Sequence, residues 1–163
     1  MPFWRVGSSP TEGTKIMKTC VFKTNLLRDK KIIREVEVPE NISLYNLART
    51  IISAYDFDFD HAFGFFSTVG ERYLDSERKY ELFTDLGNEG IEPTGAGSVK
   101  KTKVAEVWKN HGDKMLFLFD YGDNWLFVIE LVSFGEKEAK IKYPRVLQNI
   151  GKAPEQYEDY DEE

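Results

Sequence analysis

The stretch Cys20–Tyr55, CVFKTNLLRDKKIIREVEVPENISLYNLARTIISAY, decides the fold. Its second half carries Leu44, Leu47, Ala48, Ile51, Ile52 and Tyr55 at i, i+3, i+4, i+7, i+8 and i+11. That spacing puts six apolar side chains on one face of a helix. Ser43 stands where its hydroxyl can accept a free first-turn amide, so it is the expected N-cap. Upstream, Cys20–Leu27 and Ile32–Val38 read as two strands joined by the polar turn Arg28–Lys31. In the second, Ile32, Arg34, Val36 and Val38 share one face, with Glu35 and Glu37 on the other. Pro39 lacks the amide that would continue the ladder and ends the strand. Two strands followed by a packed helix predict a ubiquitin-like ββα start.

Downstream the pattern stays mixed. Ala62–Thr68 predicts an aromatic strand, and residues 70–83 a short hairpin or extended segment. Residues 87–98 (GNEGIEPTGAGS) predict a long loop, being dense in glycine with one proline. Val104, Val107 and Trp108 sit at helical spacing in a short helix over Lys103–Lys109. Met115–Phe119 and Trp125–Val132 are apolar on both faces, as central strands are. Asp120-Tyr121-Gly122-Asp123-Asn124 between them is turn chemistry. A last extended piece is expected over Ala139–Lys142, before Tyr143-Pro144. The predicted class is α+β: the ββα start extended by an antiparallel β-meander, with short helices.

Composition bounds the rest. The 163 residues are 41% hydrophobic and 14% aromatic, enough for one domain with a proper core. The expected organisation is a flexible leader over 1–17, a single domain over 18–157 and an acidic disordered tail over 158–163. Met17, followed by Lys18, is a candidate native start. Cys20 is the one cysteine, so neither an internal disulfide nor a paired-cysteine zinc site can form. No apolar run approaches the ~20 residues that span a bilayer, and a cytoplasmic protein with no membrane partner is expected. The net charge of −6 is uneven. Residues 151–163 hold six acids against one lysine, a balance of −5, leaving a nearly neutral body. Such a body argues against a strongly basic nucleic-acid face while leaving room for a local one.

Four constellations could carry chemistry. Asp56-Phe57-Asp58-Phe59-Asp60 has carboxylates at alternate positions, as a calcium loop begins, but such a loop needs glycine at its sixth position and an acid at its twelfth. His61 and Ser67 stand there instead. Phenylalanines turned inward and aspartates outward explain the pattern. The run Gly95–Thr102 lacks phosphate-loop spacing. Its Lys100 and Lys101, with Lys103, form a small basic cluster that nucleic acid could contact. His61 and His111 are the two histidines, and neither stands in a nucleophile or metal motif. His111 reads as an exposed turn residue and His61 as a strand-start residue held by a hydrogen bond. In Phe119–Trp125, Asp120 and Asp123 are expected to accept turn amides while Tyr121 and Trp125 pack. The same residues could also wall an acidic, aromatic ligand patch.

FDYGDNW (119–125), preceded by Asp60-His61 and followed by Tyr143-Pro144-Arg145-Val146-Leu147 and Gly151-Lys152-Ala153-Pro154-Glu155, resembles the Ri-plasmid open-reading-frame-three family. That group is also labelled insertion-element passenger, TnpR-like. The resemblance spans Lys18 to Tyr157. It implies an α+β fold with a ubiquitin-like start and antiparallel meander, in proteins carried on plasmids and mobile elements or standing alone in archaea and bacteria. It does not imply recombinase chemistry, since the chain shows no serine nucleophile set among arginines. The sequence departs from the family where Ala153–Tyr157 leads into acid rather than a Gly-Gly segment. It departs again where phenylalanine (Phe57 or Phe59) replaces a tryptophan before the histidine.

Three functions are therefore carried forward. The first is a binding or interaction module for a protein or small molecule, with Asp60, His61, Asp120, Tyr121, Asp123, Trp125, Tyr143 and Pro144 as its surface. The second is a hydrolytic or metal-assisted enzyme using His61 with Asp120 or Asp123. The third is nucleic-acid binding through Lys100, Lys101 and Lys103. No cofactor motif and no diagnostic metal set is present in the sequence.

Overall fold

A computed structural model describes residues 16–87 and 95–157. The expected leader up to residue 15, most of the glycine-rich loop (88–94) and the acidic tail (158–163) lie outside the described residues.

The elements run β1 (Lys18–Leu26), β2 (Ile33–Pro39), α1 (Leu44–Ala54), β3 (Phe63–Phe66), a 3-10 turn (Tyr73–Asp75), β4 (Lys79–Glu81), α2 (Leu82–Asp85), β5 (Gly97–Ser98), α3 (Val104–Val107), β6 (Lys114–Phe119), β7 (Trp125–Glu136) and β8 (Arg145–Ile150). The eight strands form one mixed sheet ordered β5-β4-β3-β6-β7-β1-β2-β8. Its neighbours are antiparallel except β4 and β5. With few short helices beside it, this is an α+β architecture.

The helix forms where its period predicts. Ser43 Oγ accepts the Asn46 amide at 3.1 Å, and Leu44, Leu47, Ala48, Ile51, Ile52 and Tyr55 are all fully buried against the sheet. Burying each large apolar side chain contributes about 1.5–3 kcal/mol. Phe22, Phe63, Phe65, Phe117, Phe119 and Phe127 supply the opposing surface, closed at one end by Trp108 from α3. The aromatic strands β6 and β7 lie mid-sheet, as two apolar faces require. The polar side chain of Arg34 enters this core with partners. Arg34 lies over the Tyr55 ring and donates to Ala54 O at 2.9 Å and Ile150 O at 2.9 Å, joining α1, β2 and β8.

Three expectations are corrected. Ala139–Lys142 forms no strand: it is largely exposed, with Ile141 N turned back to Glu138 O. The final strand is instead Arg145–Ile150, which pairs antiparallel with β2. The sheet is also not a plain meander. β7 runs beyond Val132 to Glu136 because β1 pairs with it from Phe127 to Glu136, so the first hairpin is inserted between β7 and β8. Residues 70–83, expected as a short hairpin or extended segment, give a 3-10 turn, the short extended strand β4 and the start of α2.

Candidate functional site

Asp56 follows α1 in a left-handed conformation (φ 61°) and turns the chain toward β3. Beyond it Phe57 is buried and Phe59 packs on the core, while Asp56, Asp58 and Asp60 face solvent. This alternation delivers His61 to the sheet's rim, edge-on to Phe119. Two carboxylates bracket its ring: Asp60 Oδ1 stands 2.7 Å from Nδ1, and Asp120 Oδ2 stands 3.6 Å from Nε2. The C-terminal segment closes over this corner. Tyr157 donates its hydroxyl to Asp60 Oδ2 at 2.6 Å. Gln156 accepts the Asp58 amide at 2.6 Å and donates to Asp58 O at 3.1 Å. The Tyr157 hydrogen bond holds the Asp60 carboxyl below its ordinary range. The same bond pushes the Tyr157 phenol up to about 12.

Asp120 is the buried member of the cluster. With φ 71° it sits in the left-handed region, and its Oδ1 accepts the amides of Gly122 at 3.0 Å and Asp123 at 3.2 Å. One carboxylate thus braces the turn and faces His61. The other motif residues disperse. Tyr121 crosses to Glu81 Oε2 at 2.6 Å and packs on Phe83; burial is the main reason its phenol is pushed far up. Trp125 packs edge-on against Phe57 at 4.8 Å, with Arg28 over its face and its buried indole N–H unpartnered among the described residues. The Asp123 side chain lies exposed on the turn.

Tyr143 and Pro144 belong to a different surface. The Tyr143 hydroxyl accepts the Glu138 amide at 3.1 Å, and Arg145 lies over its ring. Pro144 walls two adjoining hollows on the outer flank of α1. One, of about 370 Å³, is bounded by Pro39, Asn41, Ile42 and Asn46; the other, of about 300 Å³, by Ser53, Ala54, Arg145 and Val146. Arg49, Thr50 and Pro144 line both. The Arg49 guanidinium lies over the rings of Tyr45 (5.2 Å) and Phe59 (5.9 Å), and Lys100 covers Tyr45 from 5.1 Å. Sequence reasoning missed Arg49 and its neighbours. The signal was available: Asn46, Arg49, Thr50 and Ser53 recur at i, i+3, i+4 and i+7, the polar complement of the buried stripe.

The three lysines engage different neighbours. Lys100 engages Tyr45, Lys101 borders a third hollow of about 290 Å³ with Thr84, Asp85 and Ser98, and Lys103 precedes α3. His111 is exposed in a turn before Gly112. Among the described residues no cluster of three His, Cys, Asp or Glu side chains could hold a metal ion. No described helix is long and apolar enough to cross a membrane.

A family model described as "Plasmid pRiA4b ORF-3-like protein" matches residues 19–161. The crystal structure of a protein of unknown function from Methanosarcina mazei Go1 superposes with a TM-score of 0.68 at 22% identity. It covers 86% of this chain and 73% of its own. At that identity the likeness shows the fold alone. No curated protein matches the chain.

Proposed function

We propose that this chain, which belongs to the plasmid pRiA4b ORF-3-like family, is a binding module whose partner occupies the paired hollows between α1 and the Pro144 corner. The carrying observation is that these two hollows share Arg49, Thr50 and Pro144 as lining, while His61 and Asp120 line none of the three hollows described. Binding needs concave surface with a few fixed polar groups, and the α1 flank offers it. In this reading residues 18–157 form a single cytoplasmic domain. The leader and acidic tail flank it, and the β1–β2 hairpin with α1 serves as a ubiquitin-like frame. The Asp60–His61–Asp120 corner, Tyr121, Asp123 and Trp125 act as bracing for the sheet rim.

A fragment screen read by amide NMR on the full chain tests this. Fragments are expected to shift the amides of Asn46, Arg49, Thr50 and Val146. Shifts confined to His61 and Asp120, or none on the α1 flank, would overturn it.

A second reading makes His61 a hydrolytic base. It is favoured by one observation, the two carboxylates within 3.6 Å of the imidazole. Hydrolysis of ester or phosphate substrates by the full chain, abolished in His61→Ala, would support it.

A further inference from the structure

We infer that the partner at the α1 flank is an extended acidic segment of another protein, added as a ninth strand along β8. The inference rests on the binding-module reading and names the partner's chemistry.

The sheet ends differently at its two edges. One edge is β5, two residues long and so short that it offers almost no template. The other is β8, six residues long and, among the described residues, hydrogen-bonded within the sheet only to β2. Val146, Leu147 and Ile150 are 48%, 38% and 45% exposed along it. Edge strands are normally guarded by charge or proline. Pro144 precedes β8 and Arg145 opens it, the arginine engaged by Glu37. Residues 146–150 contain neither charge nor proline, and the register shift opposite Glu35 and Val36 is the one irregularity among the described β2–β8 pairs. An open edge supplies main-chain pairing to an incoming strand, and pockets beside it select alternate side chains. The 300 Å³ hollow is such a pocket: Val146 of the edge strand forms one wall and Arg49, Thr50 and Ser53 of α1 the other.

Charge decides between occupants. Residues 137–152 carry Lys137, Lys140, Lys142, Arg145 and Lys152 against Glu138, a balance of +4 in a chain of −6, or +3 once Arg145 is set against its ion-pair partner Glu37. A second copy pairing through the same edge would bring two such basic segments together, which like-charge repulsion opposes. An acidic strand meets them with complementary charge and places carboxylates near the exposed Arg49.

Selection of displayed random twelve-residue peptides on the full-length chain tests the inference. Recovered peptides are expected to carry Asp or Glu at alternate positions and to lose at least tenfold in affinity on Lys140→Glu/Lys142→Glu. Gln148→Pro and Asn149→Pro remove adjacent amides, one of which points away from β2. The variant that keeps the wild-type melting temperature is expected to lose binding as well. Peptides without acidic preference, or indifferent to both the lysine and proline variants, would overturn the inference. So would a dimer abolished by the same proline. Binding that tightens more than tenfold when the chain ends at Tyr157 would assign the edge to its own tail and overturn the inference too. If fragments still shift the α1 flank while these peptides fail, the strand inference falls alone. If the flank does not respond to fragments, the binding-module reading falls with it.

Discussion

The guanidinium of Arg145 stands 2.8 Å from Glu37 Oε1, and the other oxygen of that buried carboxylate accepts the Thr19 hydroxyl at 2.6 Å. Three strands meet in this network: β1 through Thr19, β2 through Glu37 and β8 through Arg145. It fixes the residue that directly follows Pro144, and so the far wall of the α1 hollows.

Gly135 of β7 leaves the room the network needs. A Cβ there would stand 2.7 Å from Thr19 Oγ1 and 2.9 Å from Glu37 Oε2. Gly135→Ala is expected to destabilise by about 1–3 kcal/mol, as overpacking does. Gly87→Ala, whose Cβ would meet nothing within 4 Å, is expected to change stability by less than about 0.5 kcal/mol. Denaturant midpoints of the two variants compare them directly.

Leu47 is fully buried at the centre of the α1 stripe. Leu47→Ala should cost about 2–5 kcal/mol from lost transfer energy and the cavity left behind. Asn46→Ala, on the exposed face, should cost under about 0.5 kcal/mol. Equal losses would mean that α1 is not held by its apolar face.

The Tyr157–Asp60 hydrogen bond predicts two pH limits for closure of the C-terminal segment. The Asp60 pKa is lowered on folding, so its contribution is present above the ordinary value of 3.8 and lost as pH falls through the lower folded value. The Tyr157 pKa is raised, so its contribution is present below 10 and lost as pH climbs toward about 12. Phenolate absorbance in Asp60→Asn should show one tyrosine titrating nearer 10 than in the wild type. An unchanged titration would break the assignment.

Cys20 lies in β1 with 1% exposure, and burial pushes its thiol to about 11. The thiolate is the reactive species. A disulfide reagent at pH 7.5 is therefore expected to leave the folded chain unmodified and to label one thiol once denaturant unfolds it. Rapid labelling of the native protein would contradict this placement.

Legibility followed the reach of each interaction. Leu44–Tyr55 declared its helix because a local period of 3.6 needs no knowledge of the rest. Met115–Phe119 and Trp125–Val132 declared a mid-sheet position because two apolar faces demand cover. The Arg145–Ile150 strand was hidden, since its partner is β2, more than a hundred residues earlier, and its exposed edge leaves no alternating pattern. Asp60, His61 and Asp120 were named from their motifs, and they meet; Tyr121 and Trp125 were named with them and face elsewhere. Alternation along the turn and strand sends neighbouring residues in opposite directions, which a motif read as one unit conceals. Tyr157 and Gln156 went unread as partners of that corner because their contacts span 96 to 98 residues.

The insertion of the first hairpin between β7 and β8 has a consequence for biosynthesis. A ribosome releases β1 and β2 early, yet both strands that flank them are encoded after residue 124. Until those codons are translated, the nascent hairpin keeps two bare margins, each able to recruit a neighbouring polypeptide. Final closure of the sheet must await translation through residue 150, the end of β8.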